Sequence, residues 1–256
     1  MIRILFAAVA LVGATPLAAQ TTNDPTDVAD AQATPSTLTI SGGATLVSQY
    51  RFRGISLSDE NAAVQGTINV QHESGAYAGA WASTLDGFGE LGGADVEVDL
   101  YAGYRTPVAS GVTLDAGLLY YAYPGSKGGD FEFFEPYANL SGTLGPATAK
   151  VGVAYGWEQD GLGGNSNVYA FGDLSSAIPT TPVTLKAHLG FSKGDTPLTP
   201  SGDYLDWLVG ADYARGPFTV GVAYVDTDLS RAQAARGGAS RDIVDGALVF
   251  SLGAAF

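Results

Sequence analysis

From Val244 to Phe256 the chain reads VDGALVFSLGAAF, and this run limits the fold more than any other feature of the sequence. Leu248, Phe250, Leu252, Ala254 and Phe256 fall on one side at period two. Asp245, Ala247, Val249, Ser251 and Gly253 fall on the other. Successive side chains of a strand point to opposite faces, so strict alternation means a strand. Its bulk lies on one face and its small or polar groups on the other. Such a strand suits a wall with lipid outside and a polar interior.

Similar segments recur upstream, with turn signals between them. About twelve strands are read near 37–52, 62–73, 75–85, 95–106, 111–123, 131–144, 147–158, 166–177, 182–193, 203–214, 217–228 and 242–256. Short connections at Ser74–Gly75, Pro107 to Ser110, Gly145–Pro146, Ile178 to Thr181 and Arg215–Gly216 alternate with longer polar stretches. Those are Ile55–Asn61, Asp86–Ala94, Pro124–Asp130, Gln159–Asn165, Gly194–Gly202 and Thr227–Arg241. Tight turns at one end and long loops at the other are the habit of membrane barrels, whereas a soluble sandwich requires no such regularity. Aromatic residues such as Tyr50, Tyr104, Tyr120, Phe134, Trp157 and Tyr213 lie near strand ends, as rings do at the headgroup level. The reading is an all-β chain, a transmembrane antiparallel up-and-down β-barrel of about twelve strands.

The termini and composition add to this. Arg3, the apolar run Ile4 to Val12 and the small residues around Ala18–Ala19 predict a cleaved signal peptide over residues 1–19. Residues 20–36, with Asp24, Asp27, Asp30, Pro25 and Pro35, predict a solvated periplasmic arm, leaving 37–256 for the barrel. The chain has no Cys, which removes disulfides and thiolate metal sites. A formal charge of −14 argues against a nucleic-acid partner. No cofactor motif is present: the glycines of 125–129 and 161–164 lack a strand-to-helix setting. The two histidines, His72 and His188, stand beside no recognisable nucleophile, so no enzyme is predicted.

Charge on the small-residue faces marks the candidate pore lining. Asp95, Glu97 and Asp99 alternate with Val96, Val98 and Leu100, so the three acids stand in a row facing inward. Arg51, Arg53, Arg105, Lys150 and Lys186 are inward bases by the same parity, and Asp115, Asp206, Asp212 and Asp245 are further inward acids. Arg51 and Arg53 either line the lumen or snorkel at the rim. The acidic row is either a salt-bridge ladder with Arg51, Arg105 or Lys150, or a charged constriction that filters solutes. Parity is open in 131–144 and 166–177, where Pro136 and Asp173 disturb the alternation. The inward acids outnumber the bases, which predicts a modest preference for cations.

The segment SQYRFRGISLSDENAAVQGTINVQHESGAYAGAWAS, from Ser48 to Ser83, and EVDLYAGY, Glu97 to Tyr104, resemble the TorF-type porin family of proteobacteria. The match is sharpest over the first third of the chain. The last strand resembles the final strand of bacterial outer-membrane barrels, in which a terminal Phe belongs to the assembly signal. The resemblance implies that Phe256 is such a signal, read by the barrel assembly machinery. It also implies a chain surrounded by outer-membrane lipids and lipopolysaccharide. The expected function is a porin-type channel for passive diffusion of small polar solutes or ions. The alternative is a non-conducting structural or adhesion barrel working through its loops. Assembly into a homo-oligomer is left open by the sequence.

Overall fold

A computed structural model describes residues 37–86, 91–199, 202–236 and 242–256. The expected signal peptide and arm lie outside the described residues. The chain runs through β1 (Leu38–Val47), the short β2 (Arg51–Phe52) and β3 (Ile55–Ser56), β4 (Ala63–His72), β5 (Ala76–Thr84) and β6 (Val96–Ala109). It continues as β7 (Val112–Ala122), β8 (Phe133–Leu144), β9 (Ala147–Gln159), β10 (Asn165–Ala177) and β11 (Val183–Gly194). It ends with β12 (Tyr204–Arg215), β13 (Phe218–Thr227), the one-turn helix α1 (Arg231–Arg236) and β14 (Ala247–Ala255). Twelve of these strands form one closed ring, each paired with its sequence neighbours, while β2 and β3 form a separate hairpin. The seam joins β1 to β14, antiparallel, from Gly43 opposite Ala255 to Val47 opposite Ser251. Beyond it, Gly42 and Phe256 exchange backbone hydrogen bonds of 3.0 and 2.9 Å.

The period-two pattern has the expected cause. Leu248, Phe250 and Leu252 are 58, 56 and 52 % exposed on the outside, whereas Val249 between them is buried. Leu46, Val64, Ile68, Leu100, Leu140, Val151, Leu185, Leu189, Val209 and Val220 continue this exposed band around the wall. A water-soluble surface does not carry a contiguous apolar belt of this extent, and a bilayer accommodates it. The open parities resolve as odd residues inward: Phe133, Glu135 and Asn139 on β8, Asn167 and Tyr169 on β10, are buried. Pro136 is tolerated because β8 begins pairing with β9 only at Tyr137, so its missing N–H breaks no rung.

Two segments depart from the sequence reading. The first strand stops at Val47, not at residue 52, and the supposed outer loop from Ile55 does not project. Almost every residue from Val47 to Ser58 is buried inside the ring. Tyr50 and Phe52 alternate like lipid-facing residues, but they pack on Trp81 and Tyr121 of the inner wall, with centroids 5.3 and 5.9 Å apart. The described part of the last long loop also turns back. Leu229, Ala234, Ile243 and Val244 form a buried cluster with Ile55 of the hairpin and Tyr204 of β12.

Candidate functional site: the charged bore and its inserted hairpin

The β2–β3 hairpin crosses the bore at the end where the long loops lie. Its two-residue turn, Arg53–Gly54, has φ of 47 and 83°, the left-handed geometry that short hairpins require. Gly54 is also sterically obligatory, because a Cβ there would meet Thr227 Cγ2 at 2.4 Å. From this turn Arg53 reaches three other strands, two through its side chain and one through its carbonyl. Its Nη2 donates to both carboxylate oxygens of Glu135 on β8 at 2.8 and 2.7 Å, and its Nη1 to Asn167 on β10 at 3.1 Å. The guanidinium lies 4.1 Å from the ring centre of Tyr169 and 4.7 Å from that of Phe52. Tyr204 on β12 donates its hydroxyl to the Arg53 carbonyl at 3.1 Å. Burial alone would lower the Arg53 pKa, but the Glu135 carboxylate prevails and holds it above its ordinary value.

Arg51 and Arg53 therefore do not line a spanning strand, as their parity had suggested; they belong to the hairpin. Arg51 mostly serves the hairpin itself, donating to Gln49 Oε1 at 2.9 Å and the Gly54 carbonyl at 2.8 Å, with Glu60 more distant at 3.8 Å. The hairpin is pinned again at Tyr50, whose hydroxyl donates to Glu97 at 2.9 Å, while Tyr123 donates to the same carboxylate at 3.3 Å. Burial, then the Glu97 charge, pushes both of these phenols well above their usual range.

The acidic row is not uniform. Asp95 precedes β6, because regular pairing with β5 begins at Val96, and its side chain is exposed. Glu97 and Asp99 are fully buried on the inner face. Neither belongs to the expected ladder with Arg51, Arg105 or Lys150. Glu97 is held by tyrosines, and neither oxygen of Asp99 has a hydrogen-bond partner among the described residues.

Toward the short-turn end the wall is stitched by pairs. Arg105 donates to Asp115 at 2.9 Å, Lys186 to Asp212 at 2.8 Å, and Lys150 stands 3.6 Å from Asp173. His188 lies between Asp173 (2.6 Å), Asp206 (3.1 Å) and the Tyr169 hydroxyl (2.8 Å). The hydroxyl of Tyr77 bonds both Asp115 and Tyr137. The sequence missed Glu135 and Asn167, whose parity Pro136 and the unsettled register of β10 had obscured. The aromatic lining is not legible there either: Tyr50, expected in an outer girdle, is buried inside, and Tyr77, Tyr121 and Tyr169 line the inner wall. Inner rings lie flat on glycines of the adjoining strand. A Cβ at Gly79 would meet Tyr101 Cζ at 2.5 Å, and one at Gly103 would meet Tyr77 Cζ at the same distance. Rings so placed run along the wall and leave the axis to the charged groups.

The barrel is similar to solved porins at low sequence identity. The NanC porin superposes with a TM-score of 0.56 at 14 % identity, over 85 % of this chain and 99 % of that one. The KdgM porin gives 0.56 at 9 % identity, over 84 and 98 %. KdgM in complex with disordered oligogalacturonate gives 0.54 at 8 %, over 85 and 97 %. Comparison with curated proteins returns no match. A family model described as a bacterial protein of unknown function, Gcw_chp, matches residues 30–256, nearly the whole chain and every strand of the ring. By that match the chain belongs to the Gcw_chp family.

Proposed function

We propose that this protein is an outer-membrane channel of porin type, passing small polar solutes or ions, with the β2–β3 hairpin as its constriction. One observation carries the reading: an apolar belt outside a closed ring whose inner face is charged and hydroxylated. A twelve-stranded ring lies between eight-stranded barrels, filled by their own side chains, and the open sixteen-stranded porins, so a narrow bore is expected. The long-loop end then faces outward and the short turns face the periplasm. Export by the amino-terminal signal, assembly through Phe256 and the TorF-type resemblance are consistent with that placement.

Inward carboxylates Glu97, Asp99, Asp115, Glu135, Asp173, Asp206 and Asp212 outnumber the bases that meet them, Arg53, Arg105, Lys150, Lys186 and His188. This supports a weak preference for cations, and a confined charge acts most strongly at low salt. Planar-bilayer recording of the refolded protein in a salt gradient tests both points. A reversal potential on the cation side is expected, and absence of conductance in any condition refutes the channel. The second reading, a non-conducting barrel, is favoured by the paired wall charges, which under it close the bore without help from the hairpin. Under that reading, removing residues 49–58 would leave the membrane as tight as before.

A further inference from the structure

The short-turn half of the bore is two-sided. Ion pairs gather on β6 to β12, whereas the inner face at the seam is formed by Ser41, Gly43 and Thr45 of β1 with Ser251, Gly253 and Ala255 of β14. Those six residues carry neither charge nor bulk, so beside a water-filled bore they form an open trough. Gly253 is nevertheless buried. At Gly221, an inward glycine of the adjoining strand, the cover is visible: a Cβ would meet Ser251 Oγ at 2.4 Å and Asp212 Oδ1 at 2.5 Å. The inward neighbours of Gly253 are Thr45, Thr219, Ser251 and Ala255, which stand beside it in the wall and are too short to lie over it. Its burial calls for an occupant of the trough.

Across the bore, two bases stand in front of their acids. Arg105 is 27 % exposed against 11 % for Asp115, and Lys186 is 10 % exposed against 1 % for Asp212. Lys150, beside Asp173, is the third base at this end. A guanidinium has five N–H donors and an ammonium three, so each can hold a second carboxylate while keeping its first. One segment of the chain starts here with the matching charge. Residues 20–36, outside the described residues, precede Thr37, whose carbonyl accepts from the Glu73 N–H beside the short turn at Ser74–Gly75. They carry Asp24, Asp27 and Asp30, spaced by three, with no Lys or Arg, and Pro35 has no N–H to extend the β1 ladder. Asp30 is seven residues from Thr37 and Asp24 thirteen, a reach of about 23 and 43 Å when extended. Arg105 lies six residues from the turn at Gly111, about 20 Å along its strand, so the acids can meet the bases.

We propose that the amino-terminal arm, residues 20–36, docks back into the short-turn end of the bore as a plug, with its backbone in the Gly43–Gly253 trough and Asp24, Asp27 and Asp30 on Arg105, Lys150 and Lys186. The small inward residues at the seam are then a seat for a backbone that larger side chains would push away. Held by charge at an end open to solvent, the arm loosens at high salt. The channel reading supplies the consequence, a closure on the periplasmic side in series with the hairpin, but the docking itself does not depend on that reading.

The chain has no Cys, so Thr26→Cys places a single reporter between Asp24 and Asp27. Refolded protein beginning at Gln20, in detergent micelles, is treated with a polyethylene-glycol maleimide, and labelling is read as a gel shift. The comparison is the same protein with Asp24→Asn, Asp27→Asn and Asp30→Asn, changes that lie outside the barrel strands and leave heat-modifiable mobility as the check of fold. Labelling of the parent should be roughly tenfold slower than that of the Asn variant, the protection given by an arm docked about nine-tenths of the time. Raising the salt should bring the parent toward the variant's rate. Fast labelling of the parent, or equal protection of the two proteins, would overturn the docking. Bilayer recordings of both proteins separate the two claims. Charge-dependent protection with no conductance in either protein refutes the channel alone, and conductance with a freely labelled arm refutes the plug alone.

Discussion

The contact that decides whether the hairpin is a fixed plug or a withdrawable constriction is the pair between Arg53 and Glu135. Both side chains are nearly buried, at 5 and 3 % exposure, and the closest approach is 2.7 Å. Glu135→Gln keeps the shape and leaves a guanidinium inside the barrel with Asn167 and two ring faces as its remaining partners. Breaking a buried pair by removing one charge costs about 3–5 kcal/mol. The surviving cation–π contacts favour the lower end, about 3 kcal/mol. At about 1.4 kcal/mol per decade, the ratio of seated to withdrawn hairpin falls by roughly a hundredfold. Single-channel recording of the purified barrel measures that ratio as the fraction of time spent at high conductance. The single variant should be open far more often, and Arg53→Met combined with Glu135→Leu should close it again by restoring an apolar match. A Glu135→Gln barrel that runs as a folded species yet shows the wild-type open fraction would refute the latch. So would a double variant as open as the single one.

Three other outcomes follow. Deleting Phe256 removes two backbone hydrogen bonds to Gly42 at the seam and a 76 % exposed ring, so the yield of heat-modifiable protein in outer-membrane fractions should fall severalfold. Cysteines at Lys127 and Ala232, both exposed at the long-loop end, should react with an impermeant thiol reagent on intact cells, while one at the exposed Ser110 should stay unlabelled; the opposite pattern would invert the barrel. Tyr50 and Tyr123 keep their protons above the ordinary phenol value of 10.0, so their contribution to seating the hairpin is complete below that pH and is lost as the pH climbs toward their raised values. Absorbance at the phenolate band should therefore show a late-titrating class of tyrosines, smaller by two residues when Tyr50 and Tyr123 are both changed to Phe.

The wall was legible because each strand carries its own instruction. Alternation in a membrane has one solution for backbone groups, closure, so strand ends such as Ala63–His72 and Ala76–Thr84 fall within a residue or two of the pattern. The hairpin was not legible, because Tyr50, Arg51, Phe52 and Arg53 satisfy the same alternation as β1. What turns them inward lies far along the chain, Glu135 at a separation of 82 residues and Asn167 at 114. Asp95, Glu97 and Asp99 show the same limit: period two gives the face, but only the fold shows that Asp95, at the edge of the β5–β6 pairing, is exposed while the other two are buried.

The rings that lie on glycines also fix a dimension. Tyr101 stands opposite Gly79 and Tyr77 opposite Gly103 between β5 and β6, Tyr137 opposite Gly117 between β7 and β8, and Phe171 opposite Gly152 between β9 and β10. Sliding β6 by two residues along β5 would set Tyr101 against Tyr77 or Trp81, where no flat seat exists. Each pair therefore acts as a register key, and register summed around a closed ring is its shear, which with strand number determines the radius. The calibre of this bore is thus set by residues with no side chain at all, and enlarging one of those glycines would change the width of the tube before it changed its chemistry.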